Sequence, residues 1–151
     1  KPSDKLKALA TASSGVHVTG TVHDIRPHVW QSAVYVVPLR IGGGTRIKIF
    51  EALGMGKAVV STTIGAEGLP VTHGEHLILA DTPADFARET VRLMRDPAAR
   101  ARLGSNARAL LAQHYGWAAV AEDFSRVLAL TVESYAARRR STSPDPVPAR
   151  P

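Results

Sequence analysis

Short β-branched apolar runs alternate along the chain with stretches in which apolar residues return every three or four positions. The runs "VHVT" (16–19), "VYVV" (34–37), "AVVST" (58–62) and "LILA" (77–80) read as strands. "VYVV" and "AVVST" have no polar alternation, as in strands covered on both faces. Helical spacing predicts a helix over 2–12, with Leu6, Leu9 and Ala10 on one side and Ser3 as N-cap. A second is predicted over 24–32, with Asp24 as N-cap and Ile25, Val29 and Trp30 facing inward. A third is predicted over 45–55. Three more follow the last strand. Residues 84–95 place Phe86, Val91 and Met94 along a face, and 98–114 place Leu103, Ala107, Leu110 and Leu111 together. Residues 118–138 place Val120, Phe124, Val127, Leu128 and Tyr135 at helical spacing. Pro97, just after Asp96, stops one helix and starts the next. The final "STSPDPVPARP" is Pro-rich, with Val147 as its only large apolar residue, and reads as a disordered tail. The expected division is a domain over 1–138 and a tail over 139–151.

Strands alternating with helices predict an α/β fold, a Rossmann-like parallel sheet with helices on both faces. Such sheets bind ligands outside the carboxyl ends of their strands. The loop 39–44, leaving "VYVV", is therefore where a site is expected.

That loop opens "PLRIGGGTRIKIFEALGMGKAVVST" (38–62), in which three glycines run consecutively into an apolar helical segment. Glycines clear side chains from a strand-to-helix turn and let backbone N–H groups approach a ligand. The following helix aims its unpaired N–H groups and the positive end of its dipole at the same place. Together these make an anion site, with phosphate the usual occupant; the plain alternative is a tight turn that needs positive φ. A Walker loop does not fit, because Gly56-Lys57 is followed by Ala58 and Glu51 stands five positions before Gly56. The dinucleotide fingerprint does not fit either, because Ile47 stands where its third Gly belongs. Glu51 lies among Ile47, Phe50, Ala52, Leu53 and Met55, so the helix reads as buried and its carboxylate as needing a partner. Two partners fit: Lys48 on the same face, or a ligand bearing paired hydroxyls such as a ribose.

Composition narrows the class. The 151 residues suffice for one domain with a real core, and the hydrophobic fraction of 44% is globular. No cysteine is present, which excludes a disulfide framework, thiolate metal sites and a Cys nucleophile, and fits a reducing compartment. No apolar run approaches the ~20 residues that span a bilayer, and no signal peptide pattern is visible. The chain begins at Lys1 rather than Met, as expected of a piece of something longer. The net charge of +6 comes from 19 Lys+Arg against 13 Asp+Glu. Many arginines lie late in the chain, including Arg88, Arg92, Arg95, Arg100, Arg102, Arg108 and the run Arg138 to Arg140. They read as a solvated polar face, or as attraction to an anionic membrane surface or to phosphates. No aromatics interleave with them as in a single-strand nucleic-acid platform.

The segments "VTGTVHDIRP", "SAVYVVPLRIGGGTRIKIFEALGMGKAVVSTTIGAEGL" and "HGEHLILADTPADFA" together resemble the nucleotide-sugar-binding half of group 1 (family 4) glycosyltransferases of the GT-B fold. The match runs from about 2 to 138 in the family's order, and its specific part is 38–69. The resemblance implies a C-terminal nucleotide-binding domain beside an N-terminal acceptor domain. The acceptor domain, this domain's first strand, and the Arg and Lys that usually follow that strand would lie before Lys1. Glu51 matches the second glutamate of the family's pair, so it is the implied ribose-binding and catalytic residue. Eight positions earlier, where the first glutamate would face the donor sugar, stands Gly43. In this glycine-rich variant the backbone of Gly43, Gly44 and Thr45 would face the donor diphosphate and sugar, with Arg46 as a phosphate partner or as a solvated helix-start Arg. Gly20, Thr21 and Val22 match the loop along the base, and residues 65–67 a loop facing the cleft.

The implied chemistry is transfer of a sugar from a nucleoside-diphosphate donor to a hydroxyl acceptor, with retention, in cell-surface polysaccharide biosynthesis. No Asp-X-Asp pair occurs, so no metal or other cofactor is expected. No Ser/His/Asp set or paired carboxylates stand out, and the six histidines are scattered as surface or loop residues. The expected partners are the donor, the acceptor domain of the same enzyme and a peripheral membrane contact, with no nucleic acid. The expected location is cytoplasmic, at the inner face of the membrane. This chain alone is expected to be inactive. The rival readings are a non-catalytic nucleotide- or phosphate-binding regulatory module and a basic nucleic-acid-binding domain.

Overall fold

The structure is a computed structural model and describes residues 3–11 and 15–141. Its elements run α1 (Asp4–Thr11), α2 (Arg26–Gln31), β1 (Tyr35–Val37), α3 (Ile47–Gly54), β2 (Val59–Ser61), β3 (Ile78–Leu79), α4 (Pro83–Arg95), α5 (Pro97–Tyr115) and α6 (Trp117–Ser141). The strands form one parallel sheet in the order β1-β2-β3. Tyr35 pairs with Val59, and Val60 with Ile78.

Strand side chains alternate between faces, and the two sets enter different cores. Val37, Val59 and Leu77 pack with Ile49, Ala52 and Leu53 of α3 and with Ala107 and Leu111 of α5. Ala58, Val60, Ile78 and Ala80 pack with Phe86 and Leu93 of α4 and with Ala99 and Leu103 of α5. The expected Rossmann-like arrangement, helices on both faces of a parallel sheet, is therefore present. Each fully buried Leu or Ile in these cores contributes roughly 1.5–3 kcal/mol. The long helix α5 serves both cores, its first half on one and its second half on the other.

Local chemistry sets the boundaries. The Thr82 hydroxyl accepts from Asp85 N (3.1 Å) at the start of α4, and the Asp96 carboxylate accepts from Ala99 N (2.8 Å) at the start of α5. Pro97 occupies the first turn of α5 as its sequence position predicts. Arg100 Nη1 donates to the carbonyls of Leu93 and Met94, 2.8 Å each, and closes the end of α4. The Ser3 hydroxyl accepts from Leu6 N (3.4 Å) and begins α1. After α3 the chain turns at Gly56 (φ +70°), and α5 crosses that turn so closely that a Cβ on Gly104 would overlap the Gly56 carbonyl. Phe50 and Tyr115 meet edge-to-face with centroids 5.0 Å apart.

Several expectations are corrected. Residues 16–19 are not a strand. A strand exists only by pairing its backbone groups, and among the described residues no strand lies beside this run. "VYVV" is not covered on both faces, because Val36 is exposed; among the described residues β1 is also the edge strand of the sheet. Leu6 and Leu9 of α1, Ile25 just before α2 and Trp30 of α2 are exposed, leaving Val29 as the buried residue of α2. In α4 the inward stripe is Phe86 to Leu93, seven residues apart, while Val91 and Met94 face out. The apolar stripe of α6 is exposed throughout the helix. Helix α6 runs to Ser141, so the tail expected from 139 starts inside the helix, and residues 142–151 lie outside the described residues.

Candidate functional site

A parallel sheet brings every strand's carboxyl end to one rim, where the loops after β1, β2 and β3 meet. Thr62 and Thr63 organise this rim. The Thr62 hydroxyl donates to the Leu39 carbonyl, linking the loop after β2 to the loop after β1. The same oxygen accepts from Gly65 N (2.9 Å) and folds the β2 loop back on itself. Thr63 donates through N and Oγ1, 2.7 Å each, to the Asp81 carboxylate just beyond β3. Those two bonds, the backbone N–H first, hold the Asp81 carboxyl below the usual carboxylate range.

The glycine loop sits on this rim and is stripped bare. Of its three glycines only Gly44 has positive φ (+88°), so the turn itself needs one Gly. A Cβ on Gly43 would meet nothing within 4 Å, so the space beside its Cα is open. Among the described residues, no protein group accepts from the backbone N–H groups of 42–48. That row of free donors leads into the start of α3, whose cap residue Arg46 makes no side-chain cap bond.

Arg46 is not a solvated helix-start residue, since only 6% of it is exposed. Its Nη2 donates to the Ile64 carbonyl (2.8 Å), the Gly42 carbonyl (3.1 Å) and Glu67 Oε2 (3.5 Å). Its Nε is buried without a partner. A buried donor left unpaired costs on the order of 1–3 kcal/mol. Around the clamp Gly65 and Ala66 are buried, Glu67 is exposed, and Ile41 projects outward at 90% exposure.

Glu51 is exposed, contrary to the expectation of a buried carboxylate. The apolar residues of α3 do not surround it. Ile49, Ala52 and Leu53 form the inward face, while Ile47, Lys48, Glu51 and Gly54 form the outward one. Lys48 and Glu51 make no ion pair. Both line a cavity of about 190 Å³ between α2 and α3, with Arg26, Val29, Tyr35 and Met55. Burial, and secondarily the Glu51 carboxylate, pushes the Tyr35 phenol up. Arg26 is tied to Asp24, with Nε to Oδ1 and Nη2 to Oδ2 both 2.9 Å. Tyr35 escaped the sequence reading, although its place in "VYVV" put it on the face of the sheet that α3 covers.

The structure thus brings Gly42, Gly43, Gly44, Thr45 and Arg46 together with residues 64–67, and places Glu51 one turn further along α3. Gly20 and Thr21 line a separate groove with Leu6, Val16 and His17, and Val22 follows them half-buried. His73 and His76 accept through Nδ1 from Leu79 N (2.9 Å) and Thr72 N (3.0 Å), so both brace the turn before β3. No group of three His, Asp or Glu side chains among the described residues has the placement of metal ligands.

The sequence profile described as "Glycosyl transferases group 1" matches residues 1–96, which carry the sheet and the whole glycine loop. The chain belongs to the group 1 glycosyltransferases. Among individual relatives, the D-inositol 3-phosphate glycosyltransferase of Streptomyces bingchenggensis (strain BCW-1) is 38% identical over 89 residues, covering 56% of this chain and 19% of that protein. An uncharacterized 44.6 kDa protein in the cps region of Klebsiella pneumoniae is 27% identical over 84 residues, covering 56% of this chain and 22% of that protein. The chain therefore spans about a fifth of the length of the curated relatives it matches. No helix among its described residues is long and apolar enough to cross a membrane.

Proposed function

We propose that this chain is the donor-binding part of a retaining glycosyltransferase that moves a sugar from a nucleoside diphosphate to a hydroxyl acceptor. The observation that carries the reading is the row of unpaired backbone N–H groups over 42–48, bare at Gly43 and continuous with the start of α3. Such donors favour an anion, and they stabilise the charge that grows on a departing diphosphate. The Gly43, Gly44 and Thr45 backbone takes the diphosphate and sugar, and Glu51 accepts from the ribose hydroxyls. Gly20, Thr21 and Val22 border the base. The acceptor is held by an N-terminal domain of the same enzyme, and the inositol phosphate in the name of the Streptomyces relative is a hydroxyl-bearing compound of the fitting class. No metal is required, because backbone dipoles supply the electrostatics.

The test titrates the chain calorimetrically with UDP, GDP and ADP and with the matching nucleosides. One diphosphate should saturate, and its nucleoside should bind at least tenfold more weakly. Equal binding of nucleoside and diphosphate, or no saturation by any diphosphate, would overturn the reading. Binding to DNA or RNA that falls steeply with salt and ignores free nucleotide would replace it with nucleic-acid recognition.

A further inference from the structure

The geometry points to Arg46 as a positioning residue, a buried lock that makes the glycine loop and the loop after β2 one rigid unit. The functional consequence rests on the donor-site reading above. A single guanidinium nitrogen bonds the Gly42 carbonyl at 3.1 Å and the Ile64 carbonyl at 2.8 Å. One partner belongs to the turn that presents the free N–H groups; the other lies in the loop after β2. The Thr62 hydroxyl makes the second tie between the same loops, to the Leu39 carbonyl. Among the described residues Glu67 is the acid that pairs with the guanidinium, at 3.5 Å, and its side chain is 73% exposed.

An arginine meant to grip phosphate holds its fork toward solvent and the ligand. Arg46 turns Nη2 inward, onto two neutral carbonyls and the more distant Glu67 carboxylate, and only 6% of the residue is exposed. Its bonds fix the loop shape. Free N–H groups stabilise developing charge only when held in place beforehand. A triple-glycine turn, with the greatest backbone freedom of any sequence, cannot hold itself. Arg46 removes that freedom from outside the turn.

The experiment compares the chain with Arg46→Met, Arg46→Lys and Glu67→Gln by 15N relaxation without ligand. In the unaltered chain both loops should show order parameters near the rigid value of about 0.85. In Arg46→Met, residues 42–45 and 64–68 should fall together below about 0.6, with α4 and α5 unchanged. Arg46→Lys should lie between, and Glu67→Gln, at an exposed site that does not threaten folding, should loosen the same two loops less. Loops that stay rigid in Glu67→Gln and Arg46→Met, or loosening confined to one loop, overturns the lock.

Nucleoside-diphosphate affinity then separates positioning from direct contact. Positioning predicts a loss of about tenfold in Arg46→Met that persists as salt is raised and is partly restored by Lys. A direct phosphate contact predicts a loss that shrinks with salt while both loops stay rigid, and that result overturns the proposal. If the unaltered chain binds no diphosphate, the donor reading fails, and the relaxation data still decide the lock.

Discussion

Glu51 stands on the outward face of α3 with its carboxylate free, so its replacement should affect ligand and not fold. Hydrogen bonds to a charged group contribute about 1.5–3 kcal/mol. Glu51→Gln should therefore weaken nucleoside-diphosphate binding by roughly ten- to a hundredfold, while an exposed substitution moves stability by only about ±0.5 kcal/mol. Titration beside thermal melts checks both, and unchanged affinity would remove the ribose assignment. Gly104 predicts the opposite pattern. Its missing Cβ is the space in which the Gly56 carbonyl lies, so Gly104→Ala should destabilise by about 1–3 kcal/mol or more and lower the melting midpoint by several degrees. At this scale the sequence was half legible. The role of "GGG" as a bare turn and the place of Glu51 on the helix could be read directly. The side of the helix that Glu51 occupies could not, because the apolar neighbours in "IKIFEALGM" are shared between an inward and an outward stripe. The burial of Arg46 was equally hidden, since its partners are backbone carbonyls that no side-chain pattern announces.

Elements interact through the rim loops, and one such link titrates. Asp81 accepts both Thr63 bonds as a carboxylate, and they depress its pKa. A carboxyl depressed in the folded state adds stability above its unfolded value, ~3.9; that stability is lost as pH falls through the folded value. Asp81→Asn should thus be less stable than the unaltered chain at neutral pH. The gap should close below about pH 3.9, as followed by thermal melts from pH 7 to pH 3. A gap that stays constant with pH would show that the Thr63 bonds do not distinguish carboxylate from amide. The three strands that formed were legible because β-branched runs between helices have few other structures open to them. The run "VHVT" looks the same and is not a strand, because pairing is supplied by a neighbour and not by the run itself. Helix α6 makes the same point. Its 3.6-residue periodicity correctly gave a helix, but periodicity cannot say whether anything covers the apolar side.

The molecule as a whole is a sheet between two cores bridged by α5, and both cores contribute to holding one rim. This explains why so short a sheet can present a defined site: α3 starts at the glycine loop, and α5 fixes α3 through the Gly56 turn. The two cores are predicted to melt together, so far-UV circular dichroism and the near-UV signals of the aromatic side chains should give coincident transitions. Separate transitions would show that α5 does not couple them.

The outer side of β1 has a further consequence, for behaviour in solution. Val36 directs its N–H and carbonyl away from β2, and no strand among the described residues takes them up. Unpaired strand groups flanked by an exposed Val are a template for another strand. Copies of this chain should therefore add to one another as concentration rises, with sedimentation velocity showing a mass that grows on loading. Val36→Lys, which leaves the inner ladder intact, should return the chain to a single slow boundary.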